Sequence, residues 1–351
     1  MPEQYNLTQY SHGGGCGCKI APGVLEEILQ SQFAFPDNKN LLVGNHSKDD
    51  AAVYDLGNGT AVISTTDFFM PIVNDAFDFG RIASANAISD VYAMGGRPIM
   101  AIAVLGWPVN TIPPSVAKQV IEGSRAICQE AGIPLAGGHS IDAPEPIFGL
   151  AVTGIVDIKN LKQNNTAQAG DYLFLTKKLG AGVLATAQKR GLISDAHFEQ
   201  LVNQLARLNN IGEQLGALEG VHAMTDVTGF GLLGHLSEMA GGSGLSAQLH
   251  YSQVQQLDGL AQYLDQKVVP GATARNWANV QPKVGIAENL TDPHLVNILN
   301  DPQTNGGLLV AVAPDAVAAV QALLRANGCS AFTNPIGRMK EQGALLIEVG
   351  K

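Results

Sequence analysis

Apolar residues in this chain come in short blocks, some alternating and some unbroken, separated by glycine-rich connections, and the blocks predict strands interleaved with helices. Residues 51–56 and 60–66 are β-rich runs joined through Asn58-Gly59, a dipeptide suited to tight hairpin turns. Over 79–94 the apolar residues Ile82, Ile88, Val91 and Tyr92 recur at about helical spacing, with Asp90 among them and Gly95-Gly96 to end the helix. The unbroken content of 98–105 predicts a buried strand, and 114–131 an amphipathic helix. A long strand at 147–156 follows the predicted turn Ala136-Gly137-Gly138-His139-Ser140. Ahead of all these, 20–30 reads as a short helix with Pro22 near its start.

The polar stretch 159–170 divides the pattern into units at 21–158 and 170–351, behind a leader of residues 1–20. In the second unit the pattern predicts strands at 172–175, 221–225, 308–312 and 344–349, with helices at 182–189, 198–215, 232–239 and 315–326. Two glycine turns stand out, Asp226-Val227-Thr228-Gly229-Phe230-Gly231 before a helix and Asp301-Pro302-Gln303-Thr304-Asn305-Gly306-Gly307 before a strand. A strand feeding a glycine turn and a helix N-terminus suits an anion, because the first helical amides are unpaired and the dipole favours negative charge.

Composition narrows the function. At 351 residues the chain exceeds one ordinary core, and 46% hydrophobic against 15% charged residues suits packed domains. The formal charge of −10 and the lack of a basic stripe argue against nucleic acid as a partner. No apolar run reaches spanning length and the N-terminus lacks signal-peptide features, so a cytoplasmic protein away from membranes is expected. No Walker or dinucleotide fingerprint occurs in the strand-turn-helix setting that either needs.

The chemistry concentrates in His12-Gly13-Gly14-Gly15-Cys16-Gly17-Cys18-Lys19, where two thiols and a lysine sit among four glycines. A thiol beside a fixed positive charge is favoured as the thiolate, the form that attacks electrophiles or binds metals, and Lys19 supplies that charge. Thiols two positions apart are poorly placed for a disulfide, and zinc needs about four ligands where only Cys128 and Cys329 remain. A loose tail is the plainer alternative. Asp50, Asp67, Asp90 and Asp226 each adjoin a turn or polar patch flanked by apolar structure. If they converge, their repulsion calls for a divalent ion, and hard oxygen ligands select Mg²⁺ or Mn²⁺, which would also bridge to phosphate oxygens.

Together with Asp49-Asp50-Ala51-Ala52-Val53, Thr65-Thr66-Asp67-Phe68-Phe69, Asn86-Ala87-Ile88-Ser89-Asp90 and Gly137-Gly138-His139-Ser140, these motifs resemble the selenophosphate synthetase family from about Leu7 to the C-terminus. The aspartate and glycine motifs are shared with the wider aminoimidazole ribonucleotide synthetase-like ATP-binding superfamily. The resemblance implies an α+β fold: two α/β domains, mixed sheets with helices packed on one face, and a mobile glycine-rich N-terminal loop carrying catalysis. It implies ATP-dependent phosphorylation of selenide to selenophosphate, AMP and orthophosphate with Mg²⁺, supplying activated selenium for selenocysteine and selenouridine synthesis. Cys16 and Lys19 match the family's catalytic pair, and Asp50, Asp90 and Asp226 its metal-binding aspartates. Lys19, Ser47, Lys48, Asp49, Asp67, Asp90, Gly138, His139 and Ser140 match nucleotide contacts. A homodimer is implied, with ATP near the subunit interface, and there is room for a selenium-delivery protein. Whether Cys16 carries selenium, assists transfer or guards the site stays open; Cys18 is expected to support it. Asn305 departs from the family's serine at that turn. The rival readings are another ATP-dependent phosphotransferase of the superfamily, which would release ADP, and a thiol and metal sensor, which would consume no ATP.

Overall fold

The computed structural model describes residues 5–20, 22–30, 38–45 and 49–351. Its first sheet holds β1 (Leu41–Val43), β2 (Ala52–Asp55), β3 (Thr60–Phe69), β4 (Arg97–Trp107), β5 (Leu135–Asp142) and β6 (Ile147–Asp157), in the order β1-β2-β3-β6-β4-β5. Neighbours are antiparallel except β4 and β5. Helices Ala76–Ala93 and Pro114–Glu130 cover one face. Asp75 caps the first by accepting the Asp78 amide at 2.8 Å. The two helices touch backbone to backbone: a Cβ on Gly80 would stand 1.9 Å from the Val120 carbonyl oxygen, and one on Gly123 1.9 Å from that of Phe77. Glycine is required there, and Ser84 donates to Ser124 at 2.7 Å in the same seam.

Among the described residues nothing covers the opposite face of this sheet. Tyr54, Phe68, Met100, Ile102 and Ile141 project from it, between 42% and 58% exposed.

The second sheet holds β7 (Tyr172–Leu175), β8 (Val221–Asp226), β9 (Ser246–His250), β10 (Val284–Ile286), β11 (Leu308–Val312), β12 (Gly337–Lys340) and β13 (Ile347–Gly350), in the order β10-β13-β9-β12-β7-β11-β8. Both sheets are mixed, since β10 and β9 run parallel to β13 while the other pairs are antiparallel. The edge strand β8 lies against helix Ala76–Ala93 of the first sheet, so the ends of β8 and of that helix meet at the seam.

Two expectations change. The predicted turn at 136–140 lies inside β5, with Gly138 opposite Ala103 and His139 opposite Val104. Its glycine permits close pairing with β4, as a Cβ on Gly138 would fall 2.3 Å from the Ala103 carbonyl oxygen. The predicted helix 198–215 is two helices, Asp195–Ala206 and Ile211–Gly216. The carbonyls that would continue the first are already taken: Lys177 Nζ donates to Arg207 at 2.7 Å, and Asn305 Nδ2 to Leu205 at 2.6 Å and Arg207 at 2.8 Å. Asn305 has φ 46°, a region that asparagine tolerates better than most residues, so its departure from serine comes with two extra backbone bonds.

The leader is seated on this framework. Leu7 and Cys16 are fully buried, and Gly15–Cys18 forms one tight helical turn.

Candidate active site

Strand alternation turns residues 61, 63, 65, 67 and 69 of β3 toward the helices. Thr65 and Asp67 therefore meet Asn86 and Asp90, which stand one turn apart on the covering helix. Thr65 Oγ1 donates to Asp90 Oδ2, and Asn86 Nδ2 donates to Asp67 Oδ2. Asp67 is in the interior of β3, two residues before its end, where the sequence predicts it just beyond the strand.

Asp226 closes β8 and accepts Ser89 Oγ at 2.6 Å across the seam. Asn209 Nδ2 donates to that serine at 2.8 Å and to the Gly306 carbonyl at 2.8 Å, which ties the second glycine turn to the same point. Asp50, just before β2, accepts Thr225 Oγ1 at 2.9 Å. Its other oxygen, Oδ2, is buried with no hydrogen-bond partner among the described residues.

Burial first and the charge of Asp226 next push Asp50 and Asp90 well above the ordinary carboxylate range. Asp226 is also raised, by burial and by Asp67, against the pull of the Ser89 hydrogen bond and of Lys19. Asp49 is pushed up to about 6 by burial, although it accepts the amides of Asp50 and Asn164. The carboxylates thus converge from both sheets. Among the described residues no three His, Cys, Asp or Glu side chains close into a preformed metal cage. A cation that takes one or two carboxylates and fills its other positions with water and phosphate oxygens does not require a closed cage. The orphaned Asp50 Oδ2, facing carboxylates that repel it, is the position a cation would satisfy.

The leader brings the thiol to this cluster. Cys16 donates its amide to Thr304 Oγ1 at 2.9 Å and its thiol to Asn86 Oδ1 at 3.2 Å, an oxygen that also accepts the Asn305 amide at 2.7 Å. Lys19 Nζ stands 3.5 Å from Asp67 Oδ2. Burial would depress Lys19, but Asp67 foremost, with Asp90 and Asp226, raises it, and it stays charged.

The thiolate expected in this loop is not what the surroundings of Cys16 favour. Burial, followed by Asp67, drives the Cys16 thiol far up, outweighing Lys19 and Thr304. Cys18 is raised as well, by burial above all. The positive charge one residue from Cys18 is spent on aspartates.

His235 Nε2 accepts the Thr228 amide at 3.1 Å, and its ring stacks on Phe230. Burial lowers it to about 3, so it is a neutral clamp for the glycine turn. On one side of the leader lies a cavity of about 350 Å³ lined by Cys16, Lys19, Phe230, Arg275 and Asn276.

Gly138, His139 and Ser140 stand apart from this cluster. Register places Gly138 in the row of Ala103, Leu150 and Asp67, three strands from Asp67, or roughly 14 Å at the usual strand spacing. His139 is exposed on the bare face. Ser47 and Lys48 lie outside the described residues. Sequence reasoning assigned no role to Thr65, Asn86, Ser89, Thr225 or Thr304; the i, i+3, i+4 spacing of Asn86, Ser89 and Asp90 was the available signal for two of them.

Comparison with known proteins supplies the remaining context. The AIR synthase related protein N-terminal domain matches residues 48–156, and the AIR synthase related protein C-terminal domain residues 168–349. The chain is 56% identical to the selenide, water dikinase of Photorhabdus laumondii, with all of both chains covered. To that of Cronobacter sakazakii it is 58% identical over 99% of this chain and 100% of the relative. Among solved structures, thiamine-monophosphate kinase from Stenotrophomonas maltophilia superposes with a TM-score of 0.64 at 22% identity, over 89% of this chain and 92% of the other. Hydrogenase maturation protein HypE in complex with ATP gives 0.62 at 17% identity, over 98% and 95%. These two likenesses speak for the fold alone.

Proposed function

The chain belongs to the selenide, water dikinases of the AIR synthase-related family and makes selenophosphate from selenide and ATP, and on that premise we propose how its residues divide the work. The observation that carries the proposal is the meeting of Asp50, Asp90 and Asp226, from three distant segments, within reach of the buried Cys16 and the charged Lys19. Asp50, Asp90 and Asp226 would hold Mg²⁺, whose chemistry there would be to neutralise the charge of the triphosphate. Asp67 holds Lys19 at the mouth of the cluster, and Lys19 places its charge on the phosphates.

Selenium attacks the γ-phosphorus as the bond to the ADP oxygen breaks, and water then cleaves bound ADP to AMP and orthophosphate. Phosphoryl transfer depends on positioning and charge neutralisation more than on a protein nucleophile. Cys16 accordingly acts as a neutral, shielding thiol at the point of transfer: its proton is held by Asn86, and the seated leader keeps water out of the first step.

The Gly138-His139-Ser140 contacts belong to a homodimer. The bare apolar face of the first sheet carries His139 and offers a second copy a surface to cover, so that a nucleotide bound near the interface meets His139 without crossing the sheet. The test is Cys16→Ser. Selenide-dependent AMP formation should vanish, with selenophosphate lost from the phosphorus spectrum and ATP binding retained; normal turnover in that variant overturns the proposal.

A further inference from the structure

The two thiols of the leader face different spaces. Cys16 lines the first cavity together with Lys19, whereas Cys18, two residues on, lines a second cavity of about 610 Å³ on the other side of the turn. Gly17, Ala272 and Arg275 border both, so this wall is one residue thick.

The second cavity is cationic in a chain whose formal charge is −10. Lys189, Arg190 and Arg275 line it, from the end of helix Ala181–Lys189 and from helix Gly271–Val280. Their polar contacts are to backbone carbonyls: Lys189 to Ser11 at 3.0 Å and Gly13 at 3.4 Å, Arg275 to Gly17 at 3.4 Å and Gly271 at 3.3 Å, Arg190 to Lys267 at 3.2 Å. Among the described residues none of the three has a carboxylate at ion-pair distance. Glu145, whose charge reaches Lys189, is held by His12 at 3.0 Å. Cys18 Sγ is half-buried and accepts the Gly14 amide at 2.8 Å. Three cations and a soft sulfur around one open space, with the Glu145 charge reaching Lys189 and Cys18 only from beyond ion-pair distance, describe a site for a small, soft anion.

We propose that this cavity is the port for the selenium substrate: hydroselenide, HSe⁻, is held among Lys189, Arg190 and Arg275 with the Cys18 thiol against it, and passes under Gly17 to Cys16. The inference rests on the selenide-using reading above. Binding is non-covalent, so no oxidant is needed and no bond forms before phosphoryl transfer. Keeping anionic selenide on the cationic side of the leader separates it from the aspartates that repel it until nucleotide and cation are in place. Gly17 fits that passage, for a Cβ there would point at Pro302 and Ala272 at 3.6–3.9 Å and narrow it without a clash.

The experiment is steady-state kinetics of the full-length protein with selenide and ATP varied separately. Lys189→Gln and Arg275→Gln are expected to raise KM for selenide about tenfold each while KM for ATP moves less than twofold. Lys189→Arg and Arg275→Lys, which keep the charge, should return KM for selenide to within about twofold of the unaltered chain. An unmoved KM for selenide in the glutamine variants overturns the port. So does failure of the charge-keeping variants together with parallel loss of both KM values and kcat, which marks these side chains as supports of the leader. Absence of selenide-dependent AMP formation in the unaltered protein overturns the functional reading itself, a result distinct from the other two.

Discussion

Asn86 and Cys16 meet through one hydrogen bond of 3.2 Å, in which the thiol donates to a carboxamide whose other end holds Asp67. The same Asn86 oxygen receives the Asn305 amide, so one buried side chain joins the leader, the first sheet and the second glycine turn. Replacing Asn86 by Leu keeps the branched outline and strands all three partners. Each buried polar group left unpaired is costly, and the variant should lose about 2–4 kcal/mol of stability. Urea unfolding checks this, and a loss under about 0.5 kcal/mol, typical of surface changes, would show that the junction bears no strain of this kind.

Ser89 has a different prediction because its bond to Asp226 favours the charged form. Ser89→Ala removes that support, so the Asp226 carboxyl, already raised, rises further. The sign follows: more of Asp226 is protonated at a given pH, and the acid limb of the pH–rate profile moves to higher pH. Turnover should suffer more at pH 6.5 than at pH 8.5, and excess Mg²⁺ should restore part of it. An unshifted acid limb would detach Asp226 from the titration.

Much of this site was legible in the sequence because strands and helices impose their own periods. Thr65 and Asp67 share a strand face by alternation, and Asn86 and Asp90 share a helix face by a four-residue step. What was illegible depended on partners far along the chain. Gly137-Gly138 reads as a turn until the parallel neighbour β4 is known to press against it. Lys19 reads as an activator of its neighbouring thiols until Asp67, forty-eight residues on, claims its charge. The break at Arg207 is likewise invisible without the buried Lys177 Nζ that takes its carbonyl.

Asp50 should trade function for stability. Its Oδ2 is buried and unpartnered, and its charge adds to those of Asp226, Asp49 and Asp90. Asp50→Asn removes the repulsion, so the ligand-free variant is expected to melt higher than the parent, with about 1–2 kcal/mol gained near pH 8. The stabilisation that Mg²⁺ with a non-hydrolysable ATP analogue confers on the parent should shrink in the variant, and AMP formation should fall by at least about a hundredfold. Calorimetry with and without the ligands separates the two effects. A variant that melts lower than the parent in both conditions would mean that Asp50 is structural.

Asp301 offers a titration away from the carboxylate cluster. Burial pushes it up to about 8, although its Oδ2 accepts Gly182 at 2.9 Å and Gln303 at 2.8 Å, and its Oδ1 has no partner among the described residues. In the unfolded chain the group titrates near the ordinary value of 3.8. The folded state therefore holds the proton more tightly, and the stabilisation is complete below the unfolded pKa and is lost as pH rises toward the folded one. Across pH 4–8 this one group contributes a decline of up to about 1.4 kcal/mol per pH unit. Asp301→Asn removes the titration, so the fall in unfolding free energy over that window should flatten by that slope. The comparison needs urea unfolding at about five pH values for parent and variant, and parallel curves would show that Asp301 is charged throughout and paired by something other than Gly182 and Gln303.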